Sequence, residues 1–186
     1  MSSRSVPGSV RLPGAAFAVC LLLACGPPPP PRTGPPPPRF HDSARGLSFD
    51  PPAPPFLRSE TDAQSSIAHF ADPITRAGIH LLAFAASGPT DAAGVQERAQ
   101  SYLRGLEDSV AGLVVDAVRT LDRFGLRGVE IEYDGGASPR MHTIDWVLYA
   151  PGVVYVVKVT APTLEFAELS APLLRARASL RIEPVK

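Results

Sequence analysis

Apolar residues recur along this chain with two periods, and the places where one gives way to the other mark out its elements. In RGVEIEYDGG, Val129, Ile131 and Tyr133 alternate with Glu130, Glu132 and Asp134 ahead of a Gly135-Gly136 turn. A period of two is that of a strand with one buried and one wet face. RMHTIDWVLYAPGVVYVVKVTA continues the pattern, with Ile144, Trp146 and Leu148 on one strand, a turn at Pro151-Gly152, and Val153, Tyr155, Val157 and Val159 on the next. Three strands joined by short turns predict an antiparallel meander. Upstream, DAQSSIAHF and GIHLLAFAA predict an antiparallel pair over about residues 63–70 and 78–86, with Asp72-Pro73 and Gly78 punctuating the link. Leu47–Phe49 is a shorter strand, confined to a sheet edge or end by Pro51, Pro52, Pro54 and Pro55.

Between these segments the period lengthens. Val95, Ala99, Tyr102, Leu103, Leu106 and Val110 are spaced for one face of a helix, which Asp91 caps, over about residues 91–110. The stripe runs on through Leu113, Val114, Ala117, Val118 and Leu121. A helix of more than about thirty residues is improbably long, and Gly105 and Gly112 weaken it further, so about residues 114–121 are assigned to a strand. The tail, TLEFAELSAPLLRARASLRI, is helical in pattern but contains Pro172; with Ser170 as a new N-cap it predicts two short consecutive helices. Phe166, Leu169, Leu173, Leu174 and Leu180 are expected to face the sheet. The fold class is therefore α+β: an antiparallel sheet of about six to seven strands, with a central helix and a C-terminal helix packed on it.

The first residues obey neither period. Arg4 and Arg11 precede an apolar run from Leu12 to Ala24, and small residues surround Cys25, the layout of a secretory signal peptide. The run of about thirteen residues falls short of the roughly twenty that span a bilayer. Leu22-Leu23-Ala24-Cys25 resembles the lipobox of bacterial lipoproteins. That resemblance implies acylation of the Cys25 thiol, cleavage before it, and a membrane partner reached through the acylated Cys25. Gly26, rather than Asp, follows the cysteine, which by resemblance to enterobacterial sorting favours the outer membrane over the inner. An ordinary signal peptide with a chance cysteine is the competing reading. Nine prolines then fall between Pro27 and Pro38. As a polyproline II segment at about 3.1 Å per residue they lift the folded region roughly 35–40 Å from the lipid; a ligand for an SH3-type domain is the other reading. The chain divides into a leader over 1–24, a lipidated cysteine and linker over 25–39, and one domain over 40–186.

Composition narrows the chemistry. The chain has 18 basic and 18 acidic side chains, and loss of the leader would remove two of the basic ones, so there is no basic field for nucleic acid. Cys20 and Cys25 are the only cysteines, both ahead of the domain, which therefore holds no internal disulfide, thiolate metal site or cysteine nucleophile. Glu130, Glu132 and Asp134 share a strand face and read as solvated carboxylates, with Arg119, Arg127 and Arg140 available to pair with them. His41, His69, His80 and His142 are scattered without zinc-ligand spacing, although His69 and His80 are placed to oppose each other across a hairpin. Ser87, His142 and Asp145 assemble a hydrolytic triad on paper only, since no nucleophile elbow accompanies them. Gly135-Gly136 leads into a strand rather than a helix and is no phosphate loop, and Trp146 and Tyr155 read as core aromatics. No catalytic residue, metal or cofactor is expected.

The order of elements is similar to the PsbP-like fold. Local echoes are Gly46-Leu47-Ser48-Phe49 ahead of proline, Gly125, Leu126 and Gly128 before VEIEY, the late strand VVYVVKVTA, and the spacing of Phe166, Pro172, Ser179 and Leu180. The resemblance implies a domain that works by docking to other proteins rather than by catalysis. The expectation is an exported, lipid-anchored docking or assembly-accessory domain with an envelope protein as partner. The alternatives are a binder of a small apolar ligand or lipid, in a pocket near Trp146 and Tyr155, and a hydrolase.

Overall fold

The computed structural model describes residues 37–59 and 64–183. The leader, Cys25 and the linker up to Pro36 lie outside the described residues. The described chain opens with three short strands, β1 (Phe40–Asp42), β2 (Leu47–Phe49) and β3 (Leu57–Ser59), followed by β4 (Ser66–Ala71) and β5 (Gly78–Ala85). Helix α1 (Ala92–Ser109) leads into β6 (Val114–Arg123), β7 (Leu126–Gly135), β8 (Met141–Ala150) and β9 (Val153–Pro162). A 3₁₀ turn at Thr163–Glu165, helix α2 (Phe166–Ala178) and β10 (Arg181–Ile182) complete it. Seven strands form one antiparallel sheet in the order β3-β4-β5-β9-β8-β7-β6, and β1-β2-β10 form a second, three-stranded sheet. The architecture is the expected α+β one.

The central strands of the large sheet have two buried faces along part of their length, because a helix packs on either side. Val95, Ala99 and Leu106 of α1 lie against Val129, Ile131, Tyr133, Val147, Tyr149 and Val156. On the other face, Leu173, Ala176 and Leu180 join Ile79, Leu81, Trp146, Leu148, Val157 and Val159, and the small sheet adds Leu47, Phe49 and Ile182. Asp91 caps α1 as its sequence position implies, its Oδ1 accepting from the Gly94 N–H at 2.8 Å. Strands β7 and β8 approach so closely at Gly128 that a Cβ there would collide with the Val147 carbonyl oxygen.

Two expectations are corrected. The tail is one helix rather than two: Pro172 lies inside α2, and Ser170 is buried within it instead of capping a second helix. A proline inside a helix costs about 3 kcal/mol. Burial of Leu173, which is fully inaccessible, contributes about 1.5–3 kcal/mol, and Ala176 one turn on adds to it, so packing offsets the lost hydrogen bond. The face carrying Glu130, Glu132 and Asp134 is not simply wet: these side chains are only 21–26% exposed, beside β8 and α2.

Candidate functional site

Asp145 is the one charged side chain among the described residues with no exposure at all. It interrupts the apolar run Ile144-Asp145-Trp146 of β8 and points to the α1 face, where its Oδ2 gathers three donors. Tyr102 of α1 donates to it at 2.7 Å, Tyr133 of β7 donates at 3.2 Å, and Lys158 Nζ of β9 stands 3.4 Å away. Lys158 also donates to the Tyr133 hydroxyl at 2.9 Å. Three donors on one oxygen suit an ionised carboxylate. Burial pushes the Asp145 carboxyl up from its usual range, while Lys158 and the two phenols pull it down. Burial acts to lower the Lys158 ammonium, but Asp145 and Tyr133 outweigh it and hold Lys158 protonated. Desolvation and the nearby carboxylate keep both phenols neutral, Tyr133 being pushed up to about 12 and Tyr102 further. Asp145 Oδ1 is buried without a hydrogen-bond partner.

Beside this network α1 leaves the sheet partly uncovered, and a groove of about 760 Å³ opens between the helix and strands β5, β8 and β9. Leu82, Phe84, Val154 and Val156 give it apolar walls, while Arg98, Tyr149 and Lys158 supply polar groups. Arg98 lies over the Tyr149 ring, 5.4 Å from its centroid, and donates to the Ser87 carbonyl. The Tyr149 hydroxyl and Arg98 Nη1 are buried without hydrogen bonds. Burial pushes the Tyr149 phenol up to about 12 against the opposing charge of Arg98. The groove thus sets an apolar wall of leucine, phenylalanine and valine beside a cationic group, Arg98.

The opposite face carries a second polar group. His142 of β8 lies with Nδ1 3.0 Å from Asp134 and Nε2 3.3 Å from Glu132. A β-bulge between Val115 and Ala117 leaves Asp116 as the extra residue of β6 and brings its carboxylate to 4.0 Å from His142. Ligand atoms of Asp116, Asp134 and His142 lie within 4.8 Å of one another, close enough to share a divalent ion, but Thr163 and Arg140 already engage Asp134. Arg119 pairs with both Glu130 and Glu132 at 3.1 and 2.9 Å. Of the three arginines expected to meet these carboxylates, Arg119 and Arg140 do so.

The hydrolytic triad read from the sequence is not brought together. His142 projects from the α2 face of β8 among carboxylates, Asp145 projects from the α1 face among tyrosines, and Ser87 lies in the turn before α1. His69 and His80 do oppose each other in register, with ring centroids 4.7 Å apart, and Ser66 Oγ lies 2.9 Å from His80 Nε2. Trp146 and Tyr155 are core aromatics as expected, but the apolar groove lies on the face away from them. The Asp145–Lys158 pair was missed, although the chain carried its signal. Each charge interrupts an apolar strand, and the two lie equally far from the Pro151-Gly152 turn, whose register sets them opposite each other.

No model of a known protein family matches the sequence, and no curated protein does either. Cyanobacterial PsbP (CyanoP) from Synechocystis superposes with a TM-score of 0.61 at 11% identity, over 78% of this chain and 92% of that one. LpqN of Mycobacterium tuberculosis, described as involved in cell envelope biogenesis, superposes with a TM-score of 0.53 at 15% identity, over 79% and 90%. A Pseudomonas aeruginosa protein of unknown function gives 0.54 at 11% identity, over 80% and 98%. At such identities the likeness is one of fold, and the fold is PsbP-like.

Proposed function

We propose that this chain is a lipid-anchored, exported accessory domain of a bacterial envelope, held by acyl chains on Cys25, raised on its proline linker, and docking another envelope protein without catalysing a reaction. The observation that carries the docking step is β6. Ten residues long, it forms one edge of the large sheet, and Val114, Val115 and Val118 are 39–49% exposed along it. Opposite Tyr133 and Ile131, Val115 and Val118 share a face because the bulge shifts the register between them. An edge of this kind accepts an extended segment of a partner, the main chain providing affinity and the valines selectivity. Among the described residues no helix is long and apolar enough to cross a membrane, and the proposed attachment is the lipid on Cys25. The fold shared with CyanoP and with an envelope-biogenesis protein supports the same reading.

The test is affinity purification of the full-length protein from its native cell in mild detergent, beside Cys25→Ser and the double variant Val115→Lys/Val118→Lys. Acyl mass on Cys25 and one envelope protein retained in stoichiometric amount, lost in the lysine variant, are the expected results. An unmodified Cys25 overturns the anchor. A partner held equally well by the lysine variant overturns docking at β6.

The groove under α1 favours a second reading, binding of an amphiphile. Fatty acids or envelope lipid extracts that raise the thermal midpoint of the wild type, but not of Val156→Trp, support it, and a flat response across extracts sinks it.

A further inference from the structure

On the α2 face, the far end of the β6–β7 hairpin meets the end of α2 in a small pocket of about 310 Å³. Arg123, Arg177 and Arg181 line it together with Phe124, Trp146 and Leu174. They come from three different parts of the fold: Arg123 from the last position of β6, Arg177 from the last turn of α2, and Arg181 from β10. Two of the guanidinium groups lie over the same indole, Arg177 at 4.3 Å and Arg123 at 5.8 Å from the Trp146 centroid. Phe124 sits at the hairpin tip with φ of 57°, a left-handed conformation unusual for a side chain of its bulk, and its ring packs at the pocket beside Arg123.

The charges here do not balance. Glu130 is the nearest carboxylate: it stands 3.6 Å from Arg177, accepts from the Trp146 indole N–H at 2.7 Å, and is already paired with Arg119. Among the described residues neither Arg123 nor Arg181 has a carboxylate within 4.0 Å; Arg181 donates only to the backbone carbonyls of Ala178 and Leu180. Arg177 is mostly buried, and its Nη1 makes no hydrogen bond. Burial pulls this guanidinium below its usual range, Glu130 opposes, and the neighbouring Arg123 adds to the fall. A fold that places three like charges around one pocket, with the buried Arg177 Nη1 facing Glu130 at 3.6 Å but making no hydrogen bond, is arranged for an anion.

We propose that the pocket bounded by Arg123, Trp146, Arg177 and Arg181 binds a phosphate monoester dianion, free in solution or borne on a lipid. Guanidinium groups arriving from three elements suit a tetrahedral oxyanion, whose oxygens accept from several directions, better than a planar carboxylate, whose lone pairs lie in one plane. Arg123 and Arg181 leave two positive charges without carboxylates, matching the charge of about −1.5 to −2 that a phosphate monoester carries at pH 7. Leu174 and Phe124 offer apolar contact to whatever bears the phosphate.

Trp146 is the sole tryptophan, so its emission reports on the pocket directly. Full-length protein in non-ionic detergent is titrated with inorganic phosphate and with glycerol 3-phosphate, against sodium chloride of matched ionic strength and against succinate. In a parallel arm it is mixed with vesicles of phosphatidylcholine with and without phosphatidic acid. The expected result is a saturable change with a phosphate monoester, weakened at least tenfold in Arg123→Gln/Arg181→Gln, whose substituted side chains are exposed and whose folding is checked by circular dichroism. Each exposed arginine is also replaced alone, so a misfolded double variant leaves two independent readings. A response to the soluble phosphates assigns a free ligand; a response confined to phosphatidic acid vesicles assigns a lipid headgroup; either supports the site. No saturable response in any arm, an equal response to chloride or succinate, or unchanged affinity in the arginine variants overturns it.

Discussion

The two faces of the large sheet carry ion pairs of the same chemistry in opposite surroundings. On the α1 face Asp145 and Lys158 meet inside the protein, closed in by Tyr102 and Tyr133. On the α2 face Arg119 lies across Glu130 and Glu132 with more than half of its side chain exposed. The Coulomb attraction is similar in kind, but the cost of failing to satisfy it is not. An unpaired charge in the interior must be neutralised or solvated, whereas at the surface water takes the partner's place. The α1 face is therefore brittle at Asp145 where the α2 face is forgiving at Arg119, although the α2 side has the larger apolar core.

The most severe way to break this contrast is to remove one member of the inner pair. Lys158→Met is expected to cost about 3–5 kcal/mol by urea denaturation, because Asp145 would be left buried and uncompensated. Asp145→Leu/Lys158→Met should recover most of that loss; failure to recover would mean that the pair is favourable in itself. Leu173→Ala probes the apolar core on the α2 side and is expected to cost about 2–5 kcal/mol, overlapping the first range through a cavity instead of a charge. Tyr102→Phe removes one donor from Asp145 and one tie between α1 and the sheet, at about 1–3 kcal/mol in the same assay. Asp91→Ala removes the cap of that helix for about 1 kcal/mol.

A pH experiment sharpens the contrast without a large loss. Burial first, then the charges of His69 and Lys158, hold His80 down to about 4, against 6.5 for a free imidazole. The unfolded chain thus takes up this proton before the folded one does, and its contribution to stability is full above about pH 6.5 and declines as pH falls towards 4. Thermal midpoints of His80→Gln should fall less steeply over that window than those of the wild type. The smallest effect is reserved for Arg119→Ala, whose change in midpoint should shrink further as salt is added.

How legible each element was in the sequence depends on its length and its residues. The β7–β9 meander is long, alternates cleanly and turns at Pro151-Gly152, so its pairing could be read directly. Strands β1 and β10, of three and two residues, are too short to have a period, and although β1 meets β2 in a local hairpin, β10 joins β2 only through a contact distant in sequence. Pro172 misled because a local rule about helix interiors lost to the burial of Leu173. In the site, the facing of His69 and His80 followed from hairpin register. Asp116 could not be placed beside His142, because a bulge has no simple signature in a strand of ordinary residues. Asp145 was legible only as a member of a paper triad, because alternation alone does not say that both sides of a sheet are covered.

The small sheet also determines how the domain takes mechanical load. Strands β1 and β10 flank β2, so Asp42 and Ile182, both opposite Leu47, lie only two strand spacings apart, about 10 Å. Arg39, just ahead of β1, binds both Asp50 and the Ser179 carbonyl at the end of α2. A pull on the chain ahead of Arg39 is therefore shared at once between the first and last described elements of the domain. Joining the two ends with a short loop and opening the chain at the exposed β8–β9 turn should give a circular permutant that folds, and one in which that shared grip is gone.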